Sequence, residues 1–314
     1  MIKRMMQKKV SEIYSLVASS NLEKLNNFKL LLGQSAILAS RSMASKFHNL
    51  WDAEVRVFSQ WGEDGILDFI CQTLELSKPN AVEFGVGSFI ECNTRYLAEN
   101  RGASVFAVDA LPDHVNEIEK ISLSWKTHIF GHRELITPVN AQNILNEAKQ
   151  KLGKLEIFSL DLDGNDYWIL ESLDLTEFKV IVVEYNGIFG AKYEVSVPRD
   201  DFFDRQNTHS SSLYYGASLP AYVYLLANRG FTFIGSNRVG TNAFFVKKNL
   251  VNLFTIRIPG DLEEYTDYRV RESRDTQGRL NKLSGKERLN QIKNLNVVNV
   301  RNSEVKSINE IFLN

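Results

Sequence analysis

The chain has 314 residues, 44% hydrophobic and 24% charged, proportions that suit one large globular domain with extensions or two small ones. Lys plus Arg number 37 and Asp plus Glu 38, so nucleic-acid binding through a bulk basic field is excluded. The only cysteines, Cys71 and Cys92, show neither Cys-x-x-Cys nor a metal-ligand spacing, and inert thiols in a reducing compartment are expected.

The N-terminal stretch carries Lys3, Arg4, Lys8 and Lys9 without the apolar core of a signal peptide, and no apolar run reaches the length of about 18 residues needed to span a membrane. A cytoplasmic location without a transmembrane segment is expected. Residues 1–50 read as a helical arm. The leucines of "NLEKLNNFKLLL" are spaced to pack on the main domain or on a second subunit, which would make a homodimer. A basic amphipathic anchor at a membrane surface is the alternative.

From 51 to 250 short β-rich runs alternate with helical segments. "AVEF" precedes a helix near 91–101, "SVFAVD" one near 112–121, "THIFG" one near 140–151 and "EIFSL" one near 166–174; "KVIVVEY" follows. These strands are apolar on both faces, as in a parallel sheet covered by helices on both sides. After a helix near 218–229, "FTFIGSNRVGTNAFFV" reads as an antiparallel hairpin. The class is α/β, a Rossmann-like doubly wound sheet of seven strands, mostly parallel, with an antiparallel hairpin at its C-terminal end. Residues 251–314, more polar, read as a covering extension of short helices and strands.

Two groups of residues carry chemistry. In "AVEFGVGSFIECNT" a strand runs into a glycine turn with Glu83, Gly85 and Gly87, and the next strand ends in Asp109, whose carboxylate can bind both hydroxyls of a ribose. A dinucleotide fingerprint would place a third glycine where Ile90 stands. The second group is "IFSLDLDGNDYWIL" and "VIVVEYN". Asp161 and Glu184 close neighbouring strands on the edge where open α/β sheets bind ligands, with Asp163 and Asn186 two residues beyond each. Asp161, Asp163, Glu184 and Asn186 offer oxygen ligands only, a set that suits Mg²⁺, Mn²⁺ or Ca²⁺. A metal-free aspartate network, or Asp161 or Asp163 as a general base, are the alternatives. Asp166 reads as a helix cap. His209 is a further candidate base, with an ordinary surface histidine as the plainer reading.

"VEFGVG" followed by "AVDA" resembles the first two motifs of class I S-adenosylmethionine-dependent methyltransferases. "FSQWGEDGI", "DLDGNDYW", "VVEYN", "GASL" and "RESRD" extend the resemblance to a branch related to the FkbM-like enzymes of polysaccharide and antibiotic biosynthesis, over roughly residues 55–300. The resemblance implies that Glu83 receives the methionine amino group of the cofactor, that Gly85 and Gly87 allow its close approach, and that Asp109 binds its ribose. It also implies that Gln60, Glu63 and Asp64 lie over the cofactor pocket, where a plain helix start is the alternative. Asp161 stands between cofactor and acceptor. The activity implied is O-methylation of a sugar hydroxyl, on a sugar nucleotide or a surface-glycan precursor, with divalent-metal assistance through the acidic set. A metal-dependent glycosyltransferase using Asp161 and Asp163, or a non-catalytic methyltransferase-like binding module, are the rival readings.

Overall fold

The computed structural model describes residues 24–120 and 127–313; the basic cluster Lys3, Arg4, Lys8 and Lys9 lies outside them. Helix α1 (24–43) lays Leu30 and Ile37 against Val57, Phe58 and Tyr96. Its opposite face leaves Leu25, Phe28, Leu31, Leu32, Leu38 and Met43 exposed. Helix α2 (Glu63–Thr73) leads to strand β1 (Asn80–Phe84). Then come β2 (Ser104–Asp109), α3 (Pro112–Lys120), β3 (Ile129–Arg133), α4 (Ala141–Leu152), β4 (Ile157–Leu160), α5 (Asp166–Ser172) and β5 (Val180–Glu184). An insertion with β6 (Val195–Ser196) and the short α6 (Arg205–Thr208) precedes α7 (Leu219–Ala227) and the hairpin of β7 (Phe231–Ser236) and β8 (Asn242–Lys247).

The sheet has seven strands in the order β3-β2-β1-β4-β5-β8-β7. β1 to β5 are parallel, and β8 enters antiparallel between β5 and β7. Each central strand buries alternate residues on opposite faces. Ile181 and Val183 join the core under α4, α5 and α7, and Val180 and Val182 join the one under α2. This is why the strands read as continuous apolar runs: neither face meets water. Among the described residues no helix is long and apolar enough to cross a membrane.

One segment departs from the sequence reading. The helix expected from residue 91 begins only at 95, and its last turn, Leu97–Arg101, widens to a π-helix. The delay has a local cause, because the amides of Asn93 and Thr94 are held by Glu83 on β1. Beyond 250 the chain adds α8 (Lys286–Ile292), β9 (Asn296–Asn299) and β10 (Val305–Ser307). The last two pair with β6 in a second, antiparallel sheet of order β10-β9-β6. A separate apolar core joins Phe189, Val195 and Leu213 of the insertion to Tyr268, Ile292 and Val297 of the C-terminal region. Both cysteines are free and buried, and burial pushes the Cys71 thiol up to about 12, so neither is poised to react.

Candidate active site

The parallel strands end on one edge of the sheet, where the loops leaving β1, β2 and β4 enclose a cavity of about 430 Å³. Small-molecule sites span about 300–1,000 Å³. After Phe84 the backbone turns through Gly85 (φ 86°) and Gly87 (φ 57°), the left-handed region that glycine enters without steric penalty. The two glycines serve different ends. A Cβ on Gly85 would lie 1.7 Å from the carbonyl oxygen of Asp161, so only glycine lets the β1 and β4 loops touch. A Cβ on Gly87 would meet nothing within 4 Å, and this residue lines the open cavity. The Gly87 N–H donates to Asp109 Oδ2 (2.9 Å), while Asp109 Oδ1 accepts from the Leu111 amide (2.9 Å) and meets His114 Nδ1 (2.9 Å). Asp109 thereby holds the turn after β1 and the start of α3 in one arrangement, and it lines the cavity between them.

Glu83 is turned to an internal task. Oε1 accepts from Asn93 N (2.9 Å), and Oε2 from Thr94 N (2.9 Å) and Thr94 Oγ1 (2.5 Å), so the carboxylate caps the following helix. Burial raises its pKa against those bonds. Glu63 is likewise buried, with Oε1 accepting from the side-chain amides of Asn237 (2.6 Å) and Asn242 (2.9 Å) and Oε2 from Trp61 N (2.9 Å). Together with Gln60 and Asp161, these two glutamates line a chamber of about 30 Å³ beside the main cavity. Oδ1 of Asn242, another lining residue, is buried without a hydrogen-bond partner. Gln60 lines both spaces.

Asp64, expected over the cofactor, lines neither space. Its Oδ2 collects the amides of Val57 (2.8 Å), Phe58 (2.7 Å) and Ser59 (2.8 Å) and the Ser59 hydroxyl (2.8 Å). The loop before α2 is built around this one oxygen, which corrects the cofactor assignment of Asp64.

On the opposite wall stand the strand-end acids. Asp161, Asp163 and Glu184 each place an oxygen within 4.8 Å of the others. Burial, then the charges of Asp163 and Asp166, lift Asp161 well above the usual carboxylate range; burial, then Asp161 and Asp163, do the same for Glu184. Asp166 folds back to accept from the amides of Leu162 (2.7 Å) and Gly164 (2.9 Å), closing the loop in which Asp163 takes a positive φ of 57°. It fixes the loop rather than capping α5.

Arg205 supplies the positive charge that the sequence reading assigned to a metal. Its guanidinium lies 3.6 Å over the Tyr215 ring, bonds to Asp163, donates to Glu272 Oε1 (2.5 Å) and to the Ser212 carbonyl (2.9 Å), and sits 4.0 Å from Glu184. Asn186 is unavailable as a ligand. Its Nδ2 donates to the carbonyls of Leu213 (3.0 Å) and Tyr215 (3.1 Å), and its Oδ1 accepts from Ile188 N (3.2 Å). A hard divalent cation takes about six or more oxygens. Asp161, Asp163 and Glu184 could hold Mg²⁺ or Mn²⁺ with water completing the shell, but Arg205, bonded to Asp163, competes with an ion for that carboxylate. His209 is also corrected. Its Nδ1 is 2.7 Å from Ser211 Oγ, burial lowers its pKa, and it lines neither space.

The sequence pattern gave no sign of Arg205, Asn242 or the cavity residues Glu134, Asp201 and Phe203. Glu272 does lie within "RESRD", whose recurrence was the one available hint.

No protein-family model matches the chain, and no curated protein matches it. Among solved structures the chain is similar to the fibrillarin pre-rRNA processing protein of Methanococcus jannaschii, at 11% identity over 55% of this chain and 67% of that one, with a TM-score of 0.35. It is similar to M. capricolum TrmK in complex with S-adenosyl-homocysteine, at 13% identity over 64% and 74% of the two chains, with a TM-score of 0.33. A mutant of MtNAS in complex with S-adenosylmethionine is similar at 14% identity over 71% and 76%, again with a TM-score of 0.33. What the cavity does has to be read from its own residues.

Proposed function

We propose that the chain is an S-adenosylmethionine-dependent O-methyltransferase of the FkbM-like kind, acting on a sugar hydroxyl. One observation carries this reading. A single cavity joins the Gly85–Gly87 turn and Asp109, at the ends of β1 and β2, to Asp161 at the end of β4. The open space at Gly87 and the carboxylate of Asp109 suit a nucleoside, and the adjoining chamber with the free Oδ1 of Asn242 suits a donor group such as an ammonium. When bound, S-adenosylmethionine supplies a methyl group whose bond to sulfur breaks as the acceptor oxygen bonds to carbon, the electron pair staying on sulfur.

The chain's own residues position and deprotonate. Asp109 holds the ribose, and the amide-anchored turn at Gly87 keeps that carboxylate fixed. Asp161 takes the proton of the acceptor hydroxyl, and the carboxyl pair with Glu184 keeps that proton within the protein. Asp163, Asn165, Asp201 and Phe203 line the acceptor side, a mixture of hydrogen-bonding groups and one aromatic ring that suits a polyhydroxylated compound. A glycosyltransferase using Asp161 and Asp163 would need both acids on one metal, whereas Asp163 is bonded to Arg205. Calorimetric titration with S-adenosylhomocysteine tests the reading. Micromolar binding is expected, weakened about tenfold or more in Asp109→Ala, the loss typical of a hydrogen bond to a charged group. Absence of binding in the wild type refutes the reading.

A further inference from the structure

Resting on that reading, we infer that the acceptor is a hydroxyl compound without phosphate, uncharged or bearing an amino group, and that the charge of the cavity makes the selection. Of the two acceptor classes implied by the sequence resemblance, this removes the sugar nucleotide.

Six carboxylates line the main cavity, those of Glu91, Asp109, Glu134, Asp161, Asp163 and Asp201, and among the described residues no lysine or arginine lines it. The arginines that pair with three of them stand outside the lining: Arg56 with Glu91 (3.7 Å), Arg199 with Asp201 (2.8 Å) and Arg205 with Asp163. Arg205 is the strongest cation near the acceptor wall, and its donors go to Asp163, Glu272 and the Ser212 carbonyl. A diphosphate carries its charge on oxygens that need N–H or cationic partners. Here it would meet chiefly carboxylate oxygens, with His114 and the amides of Gln60 and Asn165 the only lining side chains that can donate among the described residues.

A second observation points the same way. The side chamber is lined by Glu63, Glu83, Glu91 and Asp161, and the orphan Oδ1 of Asn242 there calls for a donor. The cofactor fits this field. S-adenosylmethionine carries a net positive charge and S-adenosylhomocysteine none, so the same acids that repel phosphate favour the methyl donor and release its product.

The test uses the full chain and three probes: S-adenosylmethionine, S-adenosylhomocysteine and UDP-glucose. Calorimetry at low and high KCl is expected to show S-adenosylmethionine binding several-fold more tightly than S-adenosylhomocysteine at low salt, with the difference shrinking as salt screens the cavity. UDP-glucose is expected to show no binding at millimolar concentration, with or without S-adenosylhomocysteine present. Asp201→Lys, a change at a partly exposed side chain, should weaken S-adenosylmethionine several-fold and bring UDP-glucose binding into the measurable range. Binding of UDP-glucose to the wild type, its methylation, or equal and salt-independent affinities for the two sulfur compounds would overturn the inference. Failure of both sulfur compounds to bind refutes the methyltransferase reading instead, and the UDP-glucose arm on the free protein still decides the question of charge.

Discussion

Asp64 and Asp161 find partners of opposite kinds for their carboxylates. Asp64 gathers three backbone amides and a hydroxyl on one oxygen and closes a loop of its own neighbourhood. Asp161 meets side chains, Glu184 beside it and Arg205 close by, and opens on both the main cavity and the side chamber. An acid that gathers local amides and lines no open space, as Asp64 does, stabilises a loop, whereas Asp109 gathers amides and still lines the cavity. An acid set among other ionisable side chains beside open space can exchange a proton with what enters that space. Asp64 and Asp161 both precede a glycine, by one and three residues, so the distinction lies in the partners and not in the spelling.

The comparison can be broken in several ways. Asp161→Asn is expected to lower turnover by about 10²–10⁴-fold, the usual worth of a general base, with S-adenosylhomocysteine affinity held within a few-fold. Unchanged turnover would make Asp161 as structural as Asp64. Asp64→Ala leaves three amides without an acceptor and should lower unfolding free energy by about 3 kcal/mol, read from the urea midpoint. A normal midpoint with lost cofactor binding would reverse the assignment.

A smaller effect comes from pH. Burial lifts Asp64 and Asp166 from their ordinary 3.8 to about 6. A carboxyl with a raised native pKa binds its proton more tightly when folded, so its contribution is complete below the ordinary pKa and is lost as pH rises through about 6. Stability should therefore rise, on the order of 1–2 kcal/mol, as pH falls from 7 toward 5. Calorimetric melting shows the sign directly, and a melting temperature that falls over this window contradicts it. The smallest change expected is His209→Ala, with turnover within about twofold because its ring contacts Ser211 and not the cavity. A loss of tenfold or more would return His209 to the site.

Much of the frame was legible because its signals are local. Strands buried on both faces read as apolar runs, glycines mark the turn after β1, and strand ends place Asp109, Asp161 and Glu184 on one edge. The rest depends on contacts far apart in sequence. Arg205 reaches the acids from an insertion with no periodic pattern, and Asn242 meets Glu63 across most of the chain. Glu83 shows what a strand-end position leaves out, since it says nothing about the amides of Asn93 and Thr94 waiting ten residues on.

The near-contact of Gly85 with the Asp161 carbonyl has a practical meaning for anyone who would redesign this protein. The Gly85–Gly87 turn and the loop after β4 share a wall one backbone thick. A loop graft after β4, chosen to admit a new alcohol, will press on the neighbouring turn unless it keeps the path of that carbonyl. The two segments have to be exchanged as one cassette, and libraries that vary them independently will consist mostly of clashes.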